Sequence, residues 1–159
     1  MIEVILSVDA GFATGWSKWL LDNGYPIQRV EWGLVPGGFD AFIPWLEQHL
    51  AGVTLIVFER FNPKLGTGGT DKNYEALEIQ GAVRAVARAL GIEIVMHDVG
   101  MKALCTDAAL KRNGLWIENS EVEWEDARDV NDSQIHALAF AKSMDHEPSI
   151  HRYWPMLEA

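Results

Sequence analysis

Ile2-Glu3-Val4-Ile5-Leu6-Ser7-Val8-Asp9 is a short apolar run, rich in β-branched residues, that ends on a carboxylate. A second run, Thr54-Leu55-Ile56-Val57-Phe58, ends the same way on Glu59. Continuous apolar runs of this length read as strands buried on both faces, the pattern of a sheet covered by helices. In such sheets, sites gather at the carboxyl ends of the strands. If the two strands are parallel neighbours, the Asp9 and Glu59 carboxylates lie a few ångströms apart.

Working outward, Asp9-Ala10-Gly11-Phe12-Ala13-Thr14-Gly15 reads as a turn with two glycines. Trp16–Leu21 and Gln28–Val35 read as strands joined through Asn23-Gly24, which supplies positive φ at little cost. A helix is predicted over about 40–50, with Asp40 as its N-cap. Residues 61–73 form a loop rich in Gly, Pro, Thr and Lys. A long helix follows over 74–90, with Leu77, Val83, Val86 and Leu90 on one stripe and Gly91 as its stop. Glu93–Met96 reads as a fifth strand, and Lys102–Leu104 and Asp107–Asn113 as short helices. An acidic connector over 118–128 leads into a last helix from Asp129 to Ser143. The order predicts one α/β domain over 1–144, a mixed five-stranded sheet flanked by helices. Residues 145–159 read as a tail, which Tyr153, Trp154, Met156 and Leu157 can dock.

The last helix brings two further acids. Asp129 and Asp132 are three apart and His136 four further on, so all three line one stripe. Packed carboxylates repel unless cations or protons neutralise them. Hard oxygen ligands suit Mg²⁺ or Mn²⁺. Two ions about 4 Å apart, bridged by Asp9, would activate water and stabilise the leaving oxygen of a phosphodiester. Plainer roles stand beside these. Asp9 can cap a glycine turn, Asp129 and Asp132 can cap the helix, and His136 can pack or hydrogen-bond to a ligand rather than be one.

Composition bounds the rest. A chain of 159 residues, 48% of them hydrophobic, can bury a core as a single domain. One cysteine, Cys105, permits no internal disulfide and suits a reducing cytoplasm; its expected role is packing. No apolar run is long enough to span a bilayer, and no secretion signal is read. The net charge of −10 argues against a nonspecific nucleic-acid coat. The span Arg60–Arg112 is nevertheless about +2 and the remainder −12, so one face can still meet phosphates.

Four motifs now carry a resemblance. Asp9-Ala10-Gly11-Phe12-Ala13-Thr14-Gly15 resembles the Asp-x-Gly…Thr-Gly opening of RuvC-type Holliday-junction resolvases, within the RNase H-like superfamily. Ile56-Val57-Phe58-Glu59-Arg60-Phe61 is similar to their second acidic strand, and Glu75–Gly81 to the helix after it. Asp129-Val130-Asn131-Asp132 with His136-Ala137-Leu138 is similar to their closing helix. The likeness covers about residues 2–143 and is closest to the short bacteriophage members. It implies an RNase H-like sheet and divalent-metal cleavage of branched DNA by a homodimer, in the host cytoplasm if the chain is phage-encoded. Asp9, Glu59, Asp129 and Asp132 would then be the catalytic metal ligands, with His136 or Lys102 assisting proton transfer.

For DNA contacts the candidates are Arg60, Lys64, Lys72, Lys102 and Lys111, with Phe61 as a wedge beside unstacked bases. The plainer reading makes the lysines solvated and Phe61 core. The seven tryptophans read as core or dimer contacts. The acids of 118–128 should repel phosphates unless that loop faces away or moves. The same four acids would serve flap, fork or RNA–DNA hybrid cleavage, and a non-catalytic branched-DNA binder is the remaining alternative. The first motif also resembles the phosphate loop of actin-like sugar kinases, but those need two such domains.

Overall fold

The computed structural model describes residues 1–61 and 72–155. Strands β1 (Ile2–Asp9), β2 (Ala13–Asp22), β3 (Tyr25–Pro36), β4 (Leu55–Glu59) and β5 (Glu93–His97) form one sheet in the order β3-β2-β1-β4-β5. The first three strands are an antiparallel meander, and β4 and β5 join parallel to β1. The helices are α1 (Gly38–His49), α2 (Lys72–Leu90), α3 (Asp107–Arg112), α4 (Arg128–Ser143) and α5 (Glu147–Tyr153). Single 3-10 turns lie at Val99–Leu104 and Asn119–Glu121. Among the described residues, no helix is long and apolar enough to cross a membrane. This is the predicted mixed five-stranded sheet between helices.

Strand side chains alternate between faces, and the two cores follow that alternation. Leu6, Val8, Ile56 and Phe58 pack with Phe42 and Leu46 of α1 and Ile79 and Val83 of α2. Ile5, Trp19, Leu21, Leu55 and Val57 pack on the other face with Leu110 of α3 and Ile135 and Leu138 of α4. The same parity aims Asp9, Glu59 and His97 at the face that α4 covers.

Helix α4 is buried from Val130 to Ala141, although Asn131, Asp132, Ser133, Gln134 and His136 lie in that stretch. Such burial requires partners for the polar groups. Ser7 Oγ donates to Ser133 O at 2.7 Å, and the Ser133 and Ser17 hydroxyls are 3.0 Å apart. Asn131 grips both backbone groups of Ile117, accepting at 3.0 Å and donating at 2.9 Å. Gln134 accepts from Arg29 and donates to Leu115 O at 2.9 Å.

Some boundaries differ from the sequence reading. β2 begins at Ala13, so the glycine turn shrinks to 10–12. The Thr14 hydroxyl closes that turn on the Gly11 carbonyl at 3.2 Å. Asp40 is not the N-cap of α1; Gly37, at φ 108°, holds that place, and Glu75 of α2 accepts from Phe39 N–H at 2.8 Å. The predicted tail includes α5, sealed onto β3. Tyr153 donates its hydroxyl to Ile27 O at 2.6 Å, and Ser149 accepts from Ile27 N–H at 2.8 Å. Cys105 is buried, and burial pushes its thiol up to about 12.

Gly15 is the tightest point of the assembly. A Cβ there would lie 2.1 Å from the carbonyl carbon and oxygen of Asp129 and 2.4 Å from Val130 N. Gly15→Ala is therefore expected to destabilise by at least the ~1–3 kcal/mol usual for overpacking, because backbone blocks the methyl. Gly81→Ala, on α2 with open space around it, should instead stabilise by about 0.5–1 kcal/mol. Urea unfolding of both variants checks the pair. A thiol reagent at pH 8 should label Cys105 slowly in the native protein and rapidly in urea, since the thiolate reacts and the folded site suppresses it.

Candidate active site

Asp9 and Glu59 end the two parallel central strands, one step beyond the paired residues Val8 and Phe58. Glu59 is in turn paired with His97 on β5, and Asp9 with Gly15 on β2. Gly15 has no side chain, so the first turn of α4 sits directly over the end of β1. Asp129 and Asp132 reach the strand ends from there. The four predicted acids are thus brought together.

The electrostatics report the crowding. Burial, then the charges of Glu59, Asp132 and Asp129, raise the Asp9 carboxyl well above its ordinary range. Burial, then Asp126 and Asp132, push Asp129 up to about 6. Glu59 goes the other way. Burial works against its charge, but hydrogen bonds from His136 and Lys102 outweigh it and lower its pKa.

Lys102, on the 3-10 turn after β5, places its ammonium inside the cluster. Its Nζ is 3.0 Å from Glu59 Oε2 and 2.9 Å from Asp132 Oδ2. Burial opposes the charge on Lys102, yet the Asp132 hydrogen bond and the nearby Asp9 hold its pKa above the usual value. The sequence reading offered Lys102 for proton transfer or phosphate contact; the structure ties it to Glu59 and Asp132.

Behind Glu59 stands a pair of buried imidazoles. His136 Nε2 is 2.8 Å from Glu59 Oε2, and its Nδ1 is 3.3 Å from Nδ1 of His97. His136 Nε2–H donates to the carboxylate, and the two facing Nδ1 atoms share one proton between them. That assignment follows from the hydrogen-bond pattern. Burial, then the facing His136, lower His97 to about 4, which keeps it neutral. His136 is therefore a positioning residue that aims Glu59.

Sequence reasoning missed three residues here. His97 ends an apolar strand just as Asp9 and Glu59 do, and that repetition was the available signal. Arg128 places Nη2 2.7 Å from Asp132 Oδ1 and Nη1 2.8 Å from Asp107 Oδ2. Gly15 was read as part of a turn and of the opening motif, not as the seat of α4. The candidate DNA contacts are dispersed. Arg60 faces Asp98 at 3.9 Å. Phe61 is half-buried, and its N–H donates to Gln80 at 2.7 Å. Lys111 lies over the Trp116 ring, 4.4 Å from its centroid. Lys64 and the side chain of Lys72 lie outside the described residues.

The donor set suits a hard divalent cation: four carboxylates, with no thiolate among them. Asp132 Oδ1 is buried and, among the described residues, has no aligned hydrogen-bond donor, only the charge of Arg128. No three acid, His or Cys side chains among the described residues converge tightly enough to hold an ion as they stand. The cluster is spread around the Lys102 ammonium.

Strand order, helix layers and the acid-bearing strand ends define an RNase H-like fold. Among solved structures, the chain is similar to RuvC of Thermus thermophilus in complex with a Holliday junction substrate. That match has a TM-score of 0.59 at 13% identity, covering 91% of this chain and 97% of the other. The fowlpox virus resolvase, in complex with substrate Holliday junction DNA, matches at TM-score 0.59 and 10% identity, over 89% and 98% of the two chains. No protein-family model and no curated protein sequence matches.

A divalent ion held by the acids would compete with the Lys102 ammonium for Glu59 and Asp132. In chelator, Lys102→Ala should melt below wild type because two carboxylates lose their shared cation. Mg²⁺ should then raise the melting temperature of the variant by more than that of wild type. Thermal melts with and without Mg²⁺ decide it, and equal responses would show that ion and ammonium occupy separate space.

Proposed function

We propose that this chain is a divalent-metal-dependent endonuclease that resolves four-way and other branched DNA junctions. The observation that carries the reading is the convergence of Asp9, Glu59, Asp129 and Asp132 at one end of the sheet. The fold, shared with two resolvases solved on Holliday junctions, supports it.

Asp9, Glu59, Asp129 and Asp132 are the residues that would hold Mg²⁺ or Mn²⁺. Such ions, when bound, supply a water nucleophile near neutral pH and neutralise charge on the phosphodiester. The protein's own groups do the rest. His136, backed by neutral His97, fixes the rotamer of Glu59. Arg128 holds Asp132 in place from the solvent side. Lys102 neutralises the acids before they are loaded. Released from Glu59 and Asp132, its ammonium is positioned to meet a backbone phosphate.

Paired cuts across a two-fold junction require two sites, so the proposal includes a homodimer working in the cytoplasm. Arg60, Lys64, Lys72 and Lys111 are proposed to follow the DNA backbone.

A synthetic four-way junction should be nicked in symmetric pairs in Mg²⁺ or Mn²⁺, and Asp9→Asn should abolish the cuts. Linear duplex, flap and RNA–DNA hybrid run beside it. Cutting confined to flaps or hybrids would replace the substrate, and metal-dependent cutting of none of them would remove the nuclease reading.

A further inference from the structure

The acidic connector conflicts with a DNA path, and its conformation resolves the conflict. Glu118 and Glu121 cap one another's backbone around the turn Asn119–Glu121, with Glu118 N–H donating to Glu121 at 2.8 Å. Asn119 accepts from Ala127 N–H at 3.0 Å. The connector is thereby folded back against the turn that follows β1, and a cavity of about 740 Å³ opens between them.

Phe12 and Trp124 line that cavity from opposite segments. Their ring centroids are 6.1 Å apart and the rings are tilted by 38°. Both are exposed, Phe12 at 48% and Trp124 at 37%. Exposed aromatic surface of this kind is costly in water and marks a binding site when it lines a concavity. The lining also carries the acids Glu125, Asp126 and Asp129. Arg128, also in the lining, is already tied to Asp107 and Asp132. Glu75, a further carboxylate there, is committed to Phe39 N–H.

A phosphate is repelled by such a wall, and an apolar peptide gains nothing from it. A nucleobase matches both halves. Its π face stacks on indole or phenyl regardless of sequence. Its exocyclic amine donates to carboxylates, as cytosine N4 does to Asp and Glu. Only an unpaired, unstacked base offers its π face and that amine together to a pocket. Asp129 belongs both to this cavity and to the acid cluster, so the occupant is a near neighbour of the phosphate being cut.

We propose that this cavity receives the unpaired base of a nucleotide flanking the scissile phosphate, taking amine-bearing bases (cytosine, adenine or guanine) over thymine. The proposal rests on the branched-DNA nuclease reading and adds to it a base-reading site made by Phe12, Trp124 and Glu125.

The test uses the full chain carrying Asp9→Asn, so that DNA stays intact, and four-way junctions with 2-aminopurine placed singly at each position around the branch. Fluorescence anisotropy reports overall binding; 2-aminopurine emission reports local stacking. One flanking position is expected to change emission on binding. Trp124→Ala and Phe12→Ala should lose that change and weaken binding about 5- to 150-fold, as expected for one stacked base, while Trp124→Phe keeps the change. With Asp9 restored, cutting should favour cytosine, adenine or guanine over thymine at that position, and Glu125→Ala should erode the preference. Unchanged emission, affinity and base preference in folded Trp124→Ala and Phe12→Ala would overturn the inference while leaving the nuclease reading intact. Absence of both junction binding and junction cutting in the parent proteins would overturn the two together. Trp124→Phe and Phe12→Ala keep the test decisive if Trp124→Ala does not fold.

Discussion

The contact between the Asp129 backbone and Gly15 sets the rest of the structure. It brings the first turn of α4 down onto the sheet at a strand position that lacks a Cβ. With any side chain there, the helix would ride higher and Asp129 and Asp132 would stand off from Asp9 and Glu59. The serine contacts Ser7–Ser133–Ser17 then lock the helix from below. Asn131 and Gln134 tie it sideways to 115–117. A helix this polar is stable in a core only because each of these groups meets a partner as it leaves water.

Closeness has an electrostatic consequence. Four carboxylates around one point cannot all ionise unaided, and the protein divides the burden unequally. Glu59 is held charged by His136 and Lys102. Asp9, buried and facing three other acids, is driven toward its protonated form. Lys102 spans the two sides of the cluster, linking an acid of the sheet to an acid of the helix. The arrangement resembles a site waiting with its own counter-ion in place.

Much of this was legible in the sequence. The strand ends at Asp9 and Glu59 were visible because apolar runs stop there, and parity alone puts both on one face. The helical spacing of Asp129, Asp132 and His136 was equally plain. Other features depend on tertiary contacts that no local pattern carries. Asp40 has the chemistry of a cap, but the backbone turns at Gly37, and Glu75, distant in sequence, serves the helix instead. Lys102 was read as a proton-transfer or phosphate-contact candidate, but nothing near it in sequence reveals that it bridges Glu59 and Asp132. Trp124 was one of seven tryptophans, and only folding of the connector singles it out beside Phe12.

The order of the acids along the chain has a temporal meaning. Asp9 and Glu59 are made early, whereas Asp129 and Asp132 belong to a helix near the end. Until α4 emerges from the ribosome, one face of the sheet, with Ile5, Trp19, Leu21 and Val57, lacks most of its cover. A chain that stops before α4 therefore lacks both much of that core and two of the four clustered acids. Whatever chemistry the acids perform, a nascent or truncated chain cannot begin it; the reactive centre and the folded state arrive together.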